Sequence, residues 1–180
     1  CRRIKHHSPK NFRDAIQLMW FINMGVETGE NIGLVSPGMA DRLLASFIEK
    51  TEDFQSEALE LIEAYYFLIN DYCPSGVAYA VMVGGVDGHG SDVTNELSYL
   101  FLEAIRRSNL VYPTVGVCWN KNTSDELTSL AVELISKGHT TPAFFGDEVI
   151  QKGLMQYGIP KNEACHYINS TCVEITPHGS

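Results

Sequence analysis

The chain has 180 residues, 44% of them hydrophobic and 19% charged, which suits one globular unit with a real core and argues against disorder. The formal net charge of -9 argues against nucleic acid or an anionic membrane surface as a partner. No apolar run in the sequence approaches the roughly 20 residues that cross a bilayer.

The first third of the sequence predicts helices. Apolar residues recur at helical spacing after Pro9, after the turn Ser36-Pro37-Gly38, and in a third stretch that opens near Ser56. The apolar positions are Phe12, Ala15, Ile16, Met19 and Trp20, then Leu43, Leu44, Phe47 and Ile48, then Ala58, Leu59, Ile62, Tyr65, Tyr66 and Ile69. We therefore expect a helix-rich first third.

The remaining two thirds contain short apolar runs that are typical of buried strands. Residues 77–83 form one such run, which Gly84-Gly85 ends, and residues 114–119 form a second. Residues 143–145 are a short apolar segment. Residues 168–173 predict a third strand or an extended loop.

Helical patterns separate these runs. Residues 93–105 have helical spacing, and Thr123 with Glu126 predicts a capping box for a helix that ends at Gly138. Residues 147–157 predict a further helix. Strands that alternate with helices indicate parallel strands joined by helical crossovers.

Three such strands make neither a closed barrel nor a stable open sheet. We therefore expect an α/β fold in which residues 1–180 are one sector of a larger barrel domain. Functional residues of parallel α/β sheets gather in loops that follow strand ends. Gly84-Gly85 and Cys172 both lie at such places. Asp87, just after the glycine pair, either lines the site or caps a turn.

The segment around Cys172 carries the sharpest local pattern. Side chains two residues apart in an extended segment point the same way, so the Cys172 thiol and the Glu174 carboxylate can face one cavity. The pair combines a sulfur that loses one electron with a nearby proton acceptor. From spacing alone, a small core residue is the better interpretation of Cys172 and a solvated carboxylate that of Glu174.

Five stretches resemble, in the same order, the middle of a pyruvate formate-lyase-like glycyl radical enzyme. They are Phe12-Arg13-Asp14-Ala15-Ile16-Gln17 with Trp20-Phe21, Ser36-Pro37-Gly38-Met39-Ala40-Asp41, Gly84-Gly85-Val86-Asp87 with residues 92–98, residues 142–148, and Cys172-Val173-Glu174. The resemblance covers nearly the whole chain. It implies that the chain is an internal fragment of a ten-stranded α/β barrel.

The resemblance also implies a radical mechanism. A glycine near the C-terminus of the complete enzyme, on a segment that this chain lacks, holds a radical installed by a radical S-adenosylmethionine activating enzyme. The radical passes to Cys172, which then abstracts hydrogen from a substrate carbon in a site that excludes water. Without the glycine-radical domain, we expect this fragment alone to be inactive.

The residues around Cys172 narrow the reaction class that the resemblance implies. Pyruvate formate-lyase itself has two adjacent cysteines, whereas Val173 follows Cys172 here. Cys-Val-Glu is similar to the pattern of glycerol and diol dehydratases, choline trimethylamine-lyase, hydroxyproline dehydratase, isethionate lyase and aryl-acetate decarboxylases. In the eliminating members the glutamate takes a hydroxyl proton, a role that falls to Glu174. The family's glycine before this motif is replaced by Ser170-Thr171, which leaves the substrate open.

A further site residue comes from the same resemblance. Tyr79 lies on the strand before Gly84-Gly85, where the family places aromatic residues that line the substrate pocket. Packing in the core is the equal alternative for this side chain. The resemblance further implies a small-molecule substrate, an anaerobic cytoplasm, a homodimer when complete, and no organic cofactor on this chain.

The cysteines and the chain ends add three expectations. The five cysteines are odd in number and irregularly spaced, which favours free thiols in a reducing cytoplasm over a disulfide framework. Four residues that can ligate zinc fit no structural zinc spacing, so we expect no metal site. They are Cys165, His166, Cys172 and His178. The start at Cys1 rather than methionine favours an internal piece of a longer chain.

Two function classes compete with radical chemistry. One is a thiol-nucleophile hydrolase, in which Cys172 would pair with a histidine such as His139, His166 or His178. No local signature of that class is present. The other is a non-catalytic α/β interaction module.

Overall fold

A computed structural model describes residues 3–30, 36–72, 79–169 and 174–177. The helices are α1 (Phe12–Glu30), α2 (Ala40–Leu44), α3 (Phe54–Tyr72), α4 (Glu96–Ser108), α5 (Asp125–Ser136), α6 (Asp147–Gln156) and α7 (Lys161–Ala164). The strands are β1 (Gly38–Met39), β2 (Ala80–Gly84), β3 (Thr114–Trp119), β4 (Ala143–Gly146), β5 (Tyr167–Asn169) and β6 (Ile175–Pro177). Within the described residues, none of the helices combines the length and apolar character that crossing a membrane requires.

The helix-rich first third is confirmed. Helices α1 and α3 pack along each other through aromatic side chains, with Phe12 and Phe54 edge to face at 5.6 Å and Trp20 and Tyr65 at 6.2 Å between ring centroids. Such edge-to-face pairs add stabilisation beyond the apolar area they bury. After β1 the chain forms α2 and continues as one 3₁₀ turn over residues 45–47.

Over the described residues, β1 to β4 form one parallel sheet in chain order. The strand predicted at residues 114–119 has these bounds in the structure. Of the predicted run 77–83, residues 77 and 78 lie outside the described part, Tyr79 precedes the strand, and β2 begins at Ala80. Helices α4 and α5 connect β2 to β3 and β3 to β4, as the alternation of patterns predicts.

For residues 168–173 the sequence left a third strand or an extended loop open; residues 168–169 belong to β5, outside the parallel sheet, and residues 170–173 lie outside the described part. The strand that follows β3 in the parallel sheet is β4, residues 143–146, and β5 pairs with β6 in an antiparallel hairpin. Asn169 pairs with Ile175. A connection this short cannot form the helical crossover that a parallel pair needs, so the two strands run in opposite directions.

The predicted capping box of α5 is also corrected. Ser124, not Thr123, is the N-cap, and its Oγ accepts a hydrogen bond from the Leu127 amide at 3.1 Å. The Thr123 hydroxyl instead accepts from the Asn120 amide at 2.9 Å and closes the preceding turn. Gly138 follows the helix with φ of +87°, which confirms the predicted stop.

The parallel sheet has two different faces because side chains alternate along each strand. Toward the helices, valines of β2 and β3 pack in a large apolar core; they are Val81, Val83, Val115 and Val117. Toward the other face point Met82 and Cys118, which pack with Tyr167 of β5. The β5–β6 hairpin therefore lies on the face opposite the core that α3, α4 and α5 cover, where Ile150 and Leu154 of α6 also pack.

Candidate functional site

The carboxyl ends of the parallel strands meet at one edge of the sheet and carry polar residues. Asp41 closely follows β1, Gly85 follows β2, Asn120 follows β3 and Asp147 follows β4. Of these, Asp41 and Asp147 are fully buried and Asn120 is almost fully buried. This edge, together with the hairpin beside it, is the candidate functional site.

Asp41 holds the end of β2. Its Oδ2 accepts hydrogen bonds from the Gly84 amide at 2.7 Å and the Ser98 hydroxyl at 2.5 Å, and its Oδ1 accepts from the Arg42 amide at 2.8 Å. Burial raises the pKa of the Asp41 carboxyl, and these hydrogen bonds oppose the rise. A carboxylate with this many protein donors serves to fix the turn at Gly84.

Arg42 connects that turn to the hairpin. Its Nε and Nη2 donate to the Gly84 carbonyl oxygen at 3.1 and 2.7 Å, and its Nη1 donates to the Cys165 carbonyl oxygen at 3.0 Å. Cys165 lies just before β5. The guanidinium thus spans the end of β2 and the entry to the hairpin.

Asp147 lies on the other side of the glycine pair. Its Oδ2 accepts from the Val86 amide at 2.7 Å, while its Oδ1 is buried without a hydrogen-bond partner among the described residues. The buried hydroxyl of Tyr167 lies beside the Asp147 carboxylate and the Cys118 thiol. Burial, followed by the neighbouring Cys118 and Asp147, raises the pKa of the Tyr167 phenol. A buried polar atom without a partner is costly and typical of a functional site.

Gly85 lies where these side chains converge. A Cβ there would overlap Arg42 Nη2 and come within 2.9 Å of Cys118 Cβ and 3.1 Å of Asp147 Oδ2. The residue has φ of +92°, a conformation that glycine adopts without strain. Burial raises the pKa of Cys118 to about 12, so this thiol is a poor nucleophile.

The hairpin carries the predicted catalytic pair. Glu174 is exposed and directly precedes β6, whereas Cys172 lies outside the described residues. Asn169 and Ile175, which flank the segment 170–174, are paired and lie about 5 Å apart between Cα atoms. The predicted convergence of Cys172 and Glu174 on one cavity stays a prediction.

Tyr79 lies away from this edge. It precedes β2 directly, at the amino end of the strand, about 16 Å of extended chain from Gly84. Its side chain is fully buried in the helix-side core, and its hydroxyl donates to the Glu27 carboxylate. This placement favours the core-packing alternative for Tyr79, and its assignment to substrate binding stays a prediction.

Two further candidates from the sequence, Asp87 and Cys165, form hydrogen bonds within the protein. Asp87 caps a turn, since its Oδ1 accepts from the His89 and Ser91 amides at 2.8 and 2.9 Å, and the Ser91 bond leads the lowering of its pKa. The buried Cys165 thiol donates to the Asn162 carbonyl oxygen at 3.3 Å. Over residues 3–30, 36–72, 79–169 and 174–177, no group of three or more acidic, cysteine or histidine side chains is placed to hold a metal. His178 lies outside these ranges.

Sequence reasoning did not assign a site role to Asp41, Arg42 or Asp147. A signal was present for the two carboxylates, because each follows a short apolar segment at a predicted turn. Arg42 gave no local signal, since its partner carbonyl belongs to a residue 123 positions away in the sequence.

Comparison with known proteins gives one family. The sequence profile described as "Pyruvate formate lyase-like" matches residues 1–180. Trans-4-hydroxy-L-proline dehydratase from Clostridioides difficile is 30% identical to the chain over 192 aligned positions, which cover 97% of the chain and 24% of the relative.

Two solved structures are similar in fold as well as in sequence. A structure from Roseburia inulinivorans, described for 1,2-propanediol dehydration, has a TM-score of 0.89 and 26% identity and covers 99% of the chain and 24% of its own length. A glycyl radical enzyme from Archaeoglobus fulgidus has a TM-score of 0.88 and 28% identity, covering 99% of the chain and 25% of its own length. The chain thus spans about a quarter of the length of these proteins and has the fold of one sector of their α/β barrel.

Proposed function

The chain belongs to the pyruvate formate lyase-like family, and from that membership we propose that the whole protein is a glycyl radical enzyme of the dehydratase and lyase kind. In this proposal residues 1–180 are an internal sector of a single barrel domain, and the glycine-radical domain lies on another part of the whole protein. The similarity over nearly the whole chain to a dehydratase and to a glycyl radical enzyme supports both statements.

The proposed reaction starts and ends at Cys172. The radical glycine, installed by a radical S-adenosylmethionine activating enzyme, supplies the unpaired electron. The Cys172 sulfur takes a hydrogen atom from a substrate carbon, which forms an S–H bond and leaves a carbon radical. After the product radical has formed, the thiol returns its hydrogen atom and the sulfur radical is regenerated.

Glu174 has the proton-transfer role between these two steps. Its carboxylate accepts the proton of the hydroxyl group on the carbon radical, and the resulting ketyl-like radical expels a leaving group from the neighbouring carbon. A C–O, C–N or C–S bond breaks in this step, and a C–C bond breaks in the decarboxylating alternative. When the leaving group is hydroxide, the Glu174 proton completes a water molecule.

One observation carries the proposal in the structure. The β5–β6 hairpin lies on the face of the sheet opposite the core that α3, α4 and α5 cover, with β5 packed against β1 and β2. In a closed barrel that face is the interior, where substrate can be kept from water. The ends of the segment that contains Cys172 and Glu174 belong to this hairpin.

We also propose the setting of the whole protein. Its substrate class is small hydroxylated molecules, such as the hydroxyproline and 1,2-propanediol named for the two relatives. The protein would act in an anaerobic cytoplasm, as a homodimer, with the activating enzyme as its transient partner. We propose no organic cofactor for this chain.

The test uses the whole protein, activated without oxygen by its activating enzyme. Electron paramagnetic resonance spectra are recorded for the native protein, Cys172→Ala and a matched control, Cys165→Ala. Each preparation is then given glycerol, propane-1,2-diol, trans-4-hydroxyproline, isethionate and choline. We expect a glycyl doublet in all three and turnover in all except Cys172→Ala.

Two outcomes would overturn the proposal. Absence of the doublet from the native protein, under conditions that activate an established glycyl radical enzyme, would remove the radical chemistry. Turnover by Cys172→Ala at the native rate would remove Cys172 from the mechanism.

A further inference from the structure

We propose that Arg42 is a positioning residue whose guanidinium holds the β5–β6 hairpin against the turn at Gly84. The inference rests on the proposed function, because that function assigns catalysis to Cys172 and Glu174 in the connection of this hairpin. Arg42 would act through the hairpin and would not itself touch the substrate.

The contacts of Arg42 join two distant parts of the chain. Two of its nitrogens donate to the Gly84 carbonyl oxygen, at 3.1 and 2.7 Å, and a third donates to the Cys165 carbonyl oxygen at 3.0 Å. Cys165 is two residues before Tyr167, the first residue of β5. Hydrogen bonds from a charged donor are stronger than those between neutral groups, and the planar guanidinium fixes direction as well as distance.

The surroundings of Arg42 fit this role. The neighbouring carboxylate of Asp41 lies close enough to interact with its charge, so the guanidinium is not left uncompensated at a partly buried place. Gly85 leaves the space that Nη2 occupies, because a Cβ at that position would overlap it. A change at Gly85 therefore disturbs the same contact from the other side.

The main competing role is that Arg42 binds an anionic substrate. Arg42 lines a cavity of about 180 Å³ with Met39, Leu43, His166 and Ile168. A guanidinium has five N–H donors, of which the described contacts use three, so two are available to a ligand. The geometry favours positioning, because the donors in use bind backbone carbonyls at both ends and set the direction of the group.

The test compares Arg42→Gln and Arg42→Lys in the activated whole protein with Arg106→Gln. Arg106 is exposed on α4 and pairs only with the nearby Glu103 among the described residues, so its variant is a matched control. We expect Arg42→Gln to lower kcat by about 10²-fold, since a displacement of about 1 Å at a reacting group costs that much. KM and the glycyl doublet should change little, and Arg42→Lys should recover part of kcat.

Hydrogen–deuterium exchange supplies a readout that needs no activation. Amides of residues 167–169 and 175–176 should exchange faster in Arg42→Gln, while those of β3 remain as in the native protein. Gly85→Ala should reproduce both the exchange change and the loss of kcat. Equal exchange of the hairpin in the native protein and in both variants would overturn the inference.

The kinetic outcomes separate the alternatives. A higher KM with unchanged kcat would make Arg42 a substrate ligand and overturn the positioning role. A lower melting midpoint with unchanged kcat would make it a purely structural residue. If the native protein gives the doublet and depends on Cys172 while Arg42→Gln turns over normally, this inference fails and the proposed function stands.

Discussion

The two faces of the parallel sheet differ in how completely their side chains are satisfied. On the helix side, apolar residues such as Val83, Leu97 and Phe101 are fully buried against one another. On the hairpin side, among the described residues, the buried side-chain amide of Asn169 has no hydrogen-bond partner, and the Tyr167 hydroxyl is buried beside the Asp147 carboxylate and the Cys118 thiol. Open polar groups reduce stability, and a fold keeps them where they serve chemistry or bind another part of the protein. Stability and function are therefore assigned to opposite faces of one sheet.

The largest expected effect is at Glu174 on the hairpin side. Glu174→Gln keeps the size of the side chain and removes the proton acceptor, so kcat should fall by about 10²–10⁴-fold. Because glutamine keeps the size and shape of the side chain, the melting midpoint should stay near the native value. Steady-state kinetics of the activated whole protein measures the first quantity and calorimetry the second. Glu148→Gln, an exposed change on α6, is the control, and equal kcat values for the two variants would contradict the role of Glu174.

On the helix side, Phe101→Ala should have the largest effect on stability. Phe101 is fully buried and its ring packs on Tyr66 with 6.1 Å between centroids. Removing it should cost about 3–5 kcal/mol and lower the melting midpoint. Phe144 on β4 is 39% exposed, so Phe144→Ala should cost much less. Turnover per glycyl radical should remain near native in both variants. A selective loss of kcat in Phe101→Ala would contradict the assignment of stability, and not function, to the helix side.

The next prediction concerns how the stability contributed by Asp41 depends on pH. Burial raises its pKa in the folded state above the value of about 3.9 in the unfolded chain, so the folded state binds its proton more tightly. The stabilisation from this group is present below the unfolded pKa and is lost as the pH rises through the folded pKa. The melting midpoint of the native protein should therefore fall relative to that of Asp41→Asn as the pH rises above about 4. A difference between the two midpoints that does not change with pH would contradict this sign.

The smallest effect concerns Cys118. With a pKa of about 12 and a fully buried side chain, it holds about 10³-fold less thiolate at pH 8 than a free cysteine. Iodoacetamide at pH 8 should leave Cys118 unmodified in the folded protein and modify it after unfolding, as peptide mass spectrometry would detect. Rapid alkylation of Cys118 in the folded protein would show that the hairpin does not cover this face.

The sequence predicted the helix side of the sheet better than the hairpin side. The strand at residues 114–119 and the helices α1 and α3 follow from local apolar periodicity, which records burial in a continuous core. The two-residue strand β1 is too short to show a periodic pattern of apolar residues in the sequence. The contact of Arg42 with the Cys165 carbonyl leaves no local pattern at all, because tertiary folding brings the two residues together.

The same limit applies to the candidate site. Cys172 and Glu174 came from a short motif and its resemblance to a family, whereas Asp41 and Asp147 became candidates only when the strand ends were seen to meet. Tyr79 shows the reverse case. The family resemblance predicts that Tyr79 lines the pocket, which stays a prediction, while the alternation of side chains and the contact with Glu27 place its side chain in the helix-side core.

One measurement tests the division between the two faces most directly. Turnover per glycyl radical and melting midpoint are determined on the same activated preparations of the native protein, Glu174→Gln, Arg42→Gln and Phe101→Ala. We predict that the two hairpin-side variants lose turnover with melting midpoints near the native value, while Phe101→Ala loses stability and keeps its turnover. A single trend, in which turnover falls in proportion to stability across all the variants, would contradict the assignment of function to the hairpin side.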